Sequence, residues 1–366
     1  MENVHLGLNG EKKGMIHMKN HKKYKVCLVI AGMGLLLTGC GKGGQENINA
    51  GMKAVEAMEY EQALSNFEAA LANGEDNRLL YRGQGIAYMG LTQYEDAAKS
   101  FEKALANSKI IIDEMDYDIN YYLATAYYKS GELNKAVDVY NAILALKDTE
   151  KTAYFLRGTI RLEQGDYEAA IQDFDKTISL NKKDYGQLIS IYQVLEQNGY
   201  KQIGQEYLQA AVETDEKSMT DYERGRISYY LEDYASASTY LERARSAGDE
   251  EIILYLGKTY EALGDYNYAA SVYSSYLAEH TDSEQIYNQL GMCRMQMGNY
   301  EDALQAFQAG KNVEDNSMLQ TLQFNEIVAY EYVGEYKKAA VLLESYLKAY
   351  PGDETAKREN KFLQTR

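Results

Sequence analysis

Apolar side chains along this chain recur at helical spacing, and the stripes they form come in a repeating order. Gly165-Asp166-Tyr167-Glu168-Ala169-Ala170, followed by Phe174, serves as a probe. It returns as Gly264-Asp265-Tyr266 with Ala269 and Tyr273, as Gly298-Asn299-Tyr300 with Ala303 and Phe307, and as Gly334-Glu335-Tyr336 with Ala339 and Leu343. Further copies centre on Tyr60, Tyr94, Leu133 and Tyr234, and a degenerate one on Lys201. Successive centres stand 34, 39, 34, 34, 33, 32, 34 and 36 residues apart. Three residues after each centre comes a small residue, Ala in eight copies and Gly204 in the other. Four further on comes a large one: Phe67, Phe101, Tyr140, Phe174, Leu208, Leu241, Tyr273, Phe307 and Leu343.

This pattern predicts two amphipathic helices per unit, joined by a tight turn in which glycine supplies backbone freedom. The small residue admits a neighbouring helix and the large one fills the space beside it. A second small position lies nine residues before the centre, on the first helix: Gly51, Gly85, Ala124, Gly158, Gly225, Gly257 and Gly291. Tyr192 and Ile327 interrupt it in the fifth and ninth units. A mid-helix glycine costs about 1 kcal/mol against alanine, so its recurrence implies a packing reason. The predicted fold is therefore all-α, an α-solenoid of about nine helix pairs over residues 48–352. Residues 353–366 form a polar capping helix, which shields the face that the last unit would otherwise expose. The five extra residues between the second and third units, around Ile110-Ile111-Ile112, are read as longer helices flanking that turn, or else as an apolar contact for a partner.

The 34-residue period and its conserved-type positions resemble the tetratricopeptide repeat. Leu256-Gly257, Tyr260, Gly264, Tyr266, Ala269 and Tyr273 follow that consensus closely. Tyr81, Tyr154 and Tyr287 stand where it prefers Trp, and Pro351 where its proline ends a repeat. The fifth unit departs furthest, which suggests irregular stacking there.

Composition adds limits on chemistry. Tyrosine is used 35 times against seven Phe and no Trp, and proline once. The formal charge is −17; from Cys40 onward there are 32 basic and 53 acidic side chains, or −21. Such acidity argues against nucleic acid, which requires a basic face. Beyond the first 40 residues only Cys293 and His280 remain, too few for an internal disulfide or an ordinary zinc site. No metal or cofactor is expected. Cys293 reads as a small buried hydrophobe and Asp113-Glu114-Met115-Asp116 as a solvated turn between units. Gly39-Cys40-Gly41-Lys42-Gly43-Gly44 lacks phosphate-loop spacing and reads as a tether. No base, nucleophile and orienting group come together, so an enzyme is not expected.

The N-terminal segment carries its own pattern. Lys19 to Lys25 (KNHKKYK) are basic, and Val26 to Gly39 form an uncharged apolar stretch of 14 residues. That length suits a signal-peptide core better than a membrane span. The stretch ends in Leu37-Thr38-Gly39-Cys40, which resembles the lipobox of bacterial lipoproteins. The resemblance implies a signal peptide over 1–39, lipid on Cys40, and a short tether over 40–47 on the outer face of the cytoplasmic membrane.

Carrying over the groove-facing positions of tetratricopeptide first helices gives candidate partner-binding residues: Arg82, Tyr121, Tyr128, Phe155, Tyr222, Arg226, Tyr229, Lys258 and Phe324. Aromatic and arginine side chains are frequent anchors of binding surfaces, though some here would serve only to cover neighbouring helices. The asparagine position of chaperone-tail-binding repeats holds Ile86, Thr125 and Thr159, which argues against that activity. The expected function is a lipid-anchored scaffold that binds protein or peptide segments in the cell envelope. The alternative is a lipoprotein that captures glycan or peptide in an aromatic groove.

Overall fold

The computed structural model describes residues 44–109 and 111–364. The chain divides into residues 1–44 and 45–366, and the second unit is the subject here. The signal segment and Cys40 lie outside the described residues.

Helices follow one another in pairs, with no strand among the described residues. The first three pairs are α1 (Glu46–Glu56) with α2 (Tyr60–Ala72), α3 (Asn77–Gly90) with α4 (Tyr94–Ala106), and α5 (Glu114–Lys129) with α6 (Leu133–Leu146). The next three are α7 (Lys151–Glu163) with α8 (Tyr167–Leu180), α9 (Tyr185–Gln197) with α10 (Lys201–Asp215), and α11 (Asp221–Tyr230) with α12 (Tyr234–Ala244). The last three are α13 (Glu250–Ala262) with α14 (Tyr266–Leu277), α15 (Glu284–Gln296) with α16 (Tyr300–Lys311), and α17 (Leu319–Val333) with α18 (Tyr336–Ala349). A final helix, α19 (Glu354–Leu363), packs on α18. The first helix begins at Glu46, inside the stretch read as a tether.

The Gly-Asp-Tyr signature works as punctuation. Gly165 sits at φ 81° and donates to the Leu162 carbonyl, while the Asp166 N–H reaches back to Arg161 at 2.8 Å. This closes the spent carbonyls of α7 in a Schellman arrangement. The Asp166 carboxylate then accepts from the Ala169 N–H, so the residue that ends one helix also caps the next. Asp233 and Asp265 repeat the cap. In the first, second and sixth units the left-handed position falls to Met58, Thr92 and Glu232, at φ of 59°, 60° and 63°. These side chains are exposed, and the same pair of backbone hydrogen bonds that closes the Gly165 turn holds each in a conformation that glycine would adopt without strain.

The repeated small and large positions form the core. All nine small residues are buried, and the nine large ones are at most 2% exposed. Each first-helix glycine lies under the large side chain of its own unit. A Cβ added at Gly51 would fall 2.6 Å from Phe67, at Gly257 2.1 Å from Tyr273, and at Gly291 2.3 Å from Phe307. The fifth unit exchanges the partners. Tyr192 occupies the glycine place on α9, and Gly204 on α10 admits it, with a Cβ there 3.1 Å from the Tyr192 Cα. Contacts between α8 and α9 and between α10 and α11 are sparse, so this unit is the most loosely joined to its neighbours.

Two expectations need correction. The extra residues between the second and third units do not form longer flanking helices on both sides: α4 ends at Ala106 and residues 107–109 and 111–113 are non-helical, while α5 alone is extended. Ile111 and Ile112 are exposed there, and Ile110 lies outside the described residues. Nor is Asp113–Asp116 a solvated turn. Asp113 caps α5 in a capping box with Asp116, and both carboxylates accept from Arg78 of the preceding unit, at 2.5–2.8 Å. Asp116 is 5% exposed. A buried guanidinium–carboxylate cluster thus pins the second unit to the third.

Candidate functional site: the face of the first helices

Each unit's first helix touches its own second helix and, in several places, the first helix of the next unit. Such contacts join α1 to α3, α3 to α5, α9 to α11, α11 to α13 and α13 to α15, whereas no comparable contact joins successive second helices. At those junctions the first helices lie side by side, and residues on their outer side share a surface.

The richest part of that surface spans the sixth and seventh units. Arg226 on α11 lies between two rings, 5.2 Å from the centroid of Tyr222 and 5.1 Å from that of Tyr255, and pairs with Glu251 at 3.3 Å. Tyr229 meets Tyr230, Tyr234 and Tyr255 edge-on, with centroids 5.4–5.8 Å apart. The Tyr230 and Tyr255 hydroxyls are hydrogen-bonded at 2.8 Å, and the Gln193 side-chain amide donates to Tyr230 at 2.7 Å. Lys258 stands on the same helix face as Tyr255, its ammonium 5.9 Å from that ring. Each edge-on ring pair contributes about 0.5–1.5 kcal/mol beyond burial, so the cluster is stiff without a ligand.

Electrostatics follow from this packing. Burial pushes the Tyr229 hydroxyl up to about 12, keeping it a neutral donor at physiological pH. Burial also lowers Lys258, with Glu261 opposing, and raises Glu261, whose carboxylate accepts from Tyr273 at 2.8 Å. Lys258 has no carboxylate within ion-pair range among the described residues. An ammonium desolvated in this way gains from an anionic or carbonyl oxygen brought by a partner.

The structure thus brings together four of the nine candidates, Tyr222, Arg226, Tyr229 and Lys258. None of the nine is open to solvent; all are half-buried. The groove-facing display expected of Tyr222, Arg226 and Tyr229 is replaced by a packed platform, with Arg226 already engaged. Tyr230 and Tyr255, which sequence reading left out, complete it. Their signal is positional: Tyr255 directly precedes Leu256-Gly257 and so faces the previous unit's first helix.

The remaining candidates sit apart from this platform. Arg82 pairs with Asp118 at 2.6 Å and lies over Tyr122. Tyr121 abuts Tyr140 and donates to Glu150 at 3.3 Å, while Tyr128 donates to Glu163 at 2.6 Å. Phe155 and Phe324 rest on Phe174 and Tyr346. These five largely cover neighbouring helices. Cys293 is fully buried, its Sγ 3.3 Å from the Tyr266 carbonyl, and burial pushes the thiol up to about 12. Among the described residues no group of three or more His, Cys, Asp or Glu is placed to hold a metal. No described helix is long and apolar enough to cross a membrane.

Family models described as tetratricopeptide repeat match residues 82–151 and 222–284, 152–184, and 262–323, together more than half of the chain. Solved structures share the repeat. A tetratricopeptide repeat protein from Parabacteroides merdae ATCC 43184 is 14% identical over 69% of this chain and 98% of its own, with a TM-score of 0.44. MamA from Desulfovibrio magneticus RS-1 is 17% identical over 49% and 99%, with a TM-score of 0.40. YrrB, described as a TPR protein with an unusual peptide-binding site, is 24% identical over 51% and 97%, with a TM-score of 0.35. No curated protein matches the chain significantly.

Proposed function

The chain belongs to the tetratricopeptide repeat family, and on that premise we propose that it is a lipid-anchored docking scaffold. It holds an extended protein or peptide segment against the first-helix face at the sixth and seventh units. The observation that carries this reading is the Tyr222–Arg226–Tyr255 stack with Lys258 beside it. The rings offer rigid contact area at little entropic cost, and the half-buried Lys258 ammonium offers one directional polar contact. A stiff platform of this kind suits binding without chemistry, and nothing beside it supplies a nucleophile with its base.

The anchor rests on sequence: a basic segment, a 14-residue apolar core, and Leu37-Thr38-Gly39-Cys40. It places the scaffold on the extracytoplasmic face of a bacterial membrane, docking envelope proteins. Cys40→Ser removes the thiol that would take the lipid, so the variant should lose incorporated fatty acid and keep its leader. Unchanged mass and membrane retention would sink the anchor. Whole-cell crosslinking with mass spectrometry, run beside a glycan array of the purified body, tests the docking reading. Peptide crosslinks on α11 and α13 support it; specific glycan binding with no protein crosslinks there would replace it with carbohydrate capture.

A further inference from the structure

At the C-terminal end of the first-helix face, α17 and α19 flank an open cleft of about 620 Å³. Val328, Glu331 and Tyr332 line it from α17, Tyr336 from the start of α18, and Glu359 and Phe362 from α19. The two carboxyl groups meet on its wall. Glu331 is half-buried, with Oε1 closed off from solvent and the Glu359 carboxyl as its side-chain hydrogen-bond partner, and among the described residues no Lys or Arg pairs with either acid. Two carboxylates in contact repel unless a proton or a cation lies between them. Burial and the facing Glu359 push Glu331 up to about 8, so with nothing bound a proton takes that place. The walls add aromatic faces: Tyr332 is 59% exposed and Phe362 40% exposed although both are large and apolar. Paired carboxylates beside rings complement an organic cation on an apolar stem, since the charge meets the acids while rings cover the methylenes.

We propose that this cleft is a specificity pocket for a basic side chain, lysine or arginine, of a partner segment lying along the first-helix face. The cleft volume falls within the range of small-ligand sites and exceeds what a bare metal ion needs. The chain's net charge of −17 draws cationic segments toward it. The pocket extends the docking reading by naming one chemical feature of the partner, but its test needs no native partner, so the two can fail separately.

The test titrates the full chain with the peptide acetyl-(Lys)6-amide, its fully Nε-acetylated counterpart, and spermidine. Glu331→Gln with Glu359→Gln removes the charge pair while keeping shape, and relief of repulsion should keep helicity intact. Glu61→Gln with Glu68→Gln removes at least as much charge from exposed positions at the far end. The pocket variant should bind oligolysine at least about tenfold more weakly, as expected for a lost charge-assisted contact, and the far-end variant should change less than about twofold. Carbodiimide coupling should join lysine amines to Glu331 or Glu359 in the parent chain. Equal weakening in both variants would show diffuse acidity and overturn the pocket, as would undiminished binding of the acetylated peptide. Spermidine that matches and displaces oligolysine would assign the cleft to free polyamines and overturn the peptide side chain as occupant.

Discussion

The glycine under each large core side chain gives the most quantitative test of the packing argument. Gly257→Ala adds one methyl that would fall 2.1 Å from the Tyr273 ring. That ring has no free volume to move into: it is fully buried and its hydroxyl is held by Glu261. Two effects compete. Alanine gains about 1 kcal/mol of helix propensity over glycine. Forcing a methyl into a filled core costs about 1–3 kcal/mol, and a contact this short places the cost at the upper end. The net expectation is a loss of about 1–2 kcal/mol. In the sixth unit a Cβ at Gly225 would still fall 2.5 Å from Leu241, so leucine at the large position leaves no room for a methyl either. In a Tyr273→Ala background, where the ring is gone, Gly257→Ala should be neutral or stabilising. A double-mutant cycle by chemical denaturation reads the coupling directly. Hydrogen exchange should show the damage confined to the seventh unit and its neighbours, because solenoid repeats couple only locally. An equal cost in both backgrounds would refute the ring contact, and a stabilised single variant would show that the ring gives way.

Other expectations follow from the ion pairs. Arg78→Met leaves the buried Asp116 carboxylate without its cation and should cost about 3–5 kcal/mol at the junction of the second and third units, seen as faster exchange in α3 and α5. In the parent chain the Arg78 hydrogen bond holds Asp113 down to about 2, so that junction is fully stabilised above about pH 4 and loosens as pH falls toward 2. At the other end the sign reverses. Glu331, held near 8 in the folded chain against 4.5 ordinarily, binds a proton that the unfolded chain releases, so the stability of α17 and α19 should fall as pH rises from about 4.5 to 8. Exchange in those helices at the two ends of that window checks it, and Glu331→Gln should abolish the difference.

Much of the fold was legible because each unit repeats the same steric bargain. Gly257 against Tyr273 and Gly291 against Phe307 leave a period that survives wide change at surface positions. The fifth unit was legible only as a departure, since Tyr192 and Gly204 keep the close contact while reversing which helix supplies the small residue. Left-handed turns at Met58, Thr92 and Glu232 carry no signal, because any residue adopts them once flanking helices fix the backbone. The Arg78–Asp113–Asp116 cluster was misread for a related reason: acids 35 and 38 residues from their partner look solvated until the repeat folds one unit onto the next. For the surface, the repeat register put Tyr222, Arg226 and Tyr229 on one stripe and Lys258 among the groove positions. It missed that Tyr255, just before Leu256-Gly257, lies between Arg226 and Lys258.

The central claim is that the platform of the sixth and seventh units holds a partner segment, and its most direct test is partner capture by Tyr222→Ala with Tyr229→Ala. The partner is the protein that whole-cell crosslinking attaches to α11 or α13 in the parent chain, and its affinity is measured with purified components. Removing both rings deletes one side of the Arg226 stack and the centre of the edge-on cluster, while the core pair Gly225–Leu241 stays untouched. Affinity should fall at least about tenfold, or about 1.4 kcal/mol, with helical content retained. A double variant that keeps its helices and captures the partner as tightly as the parent would contradict the account.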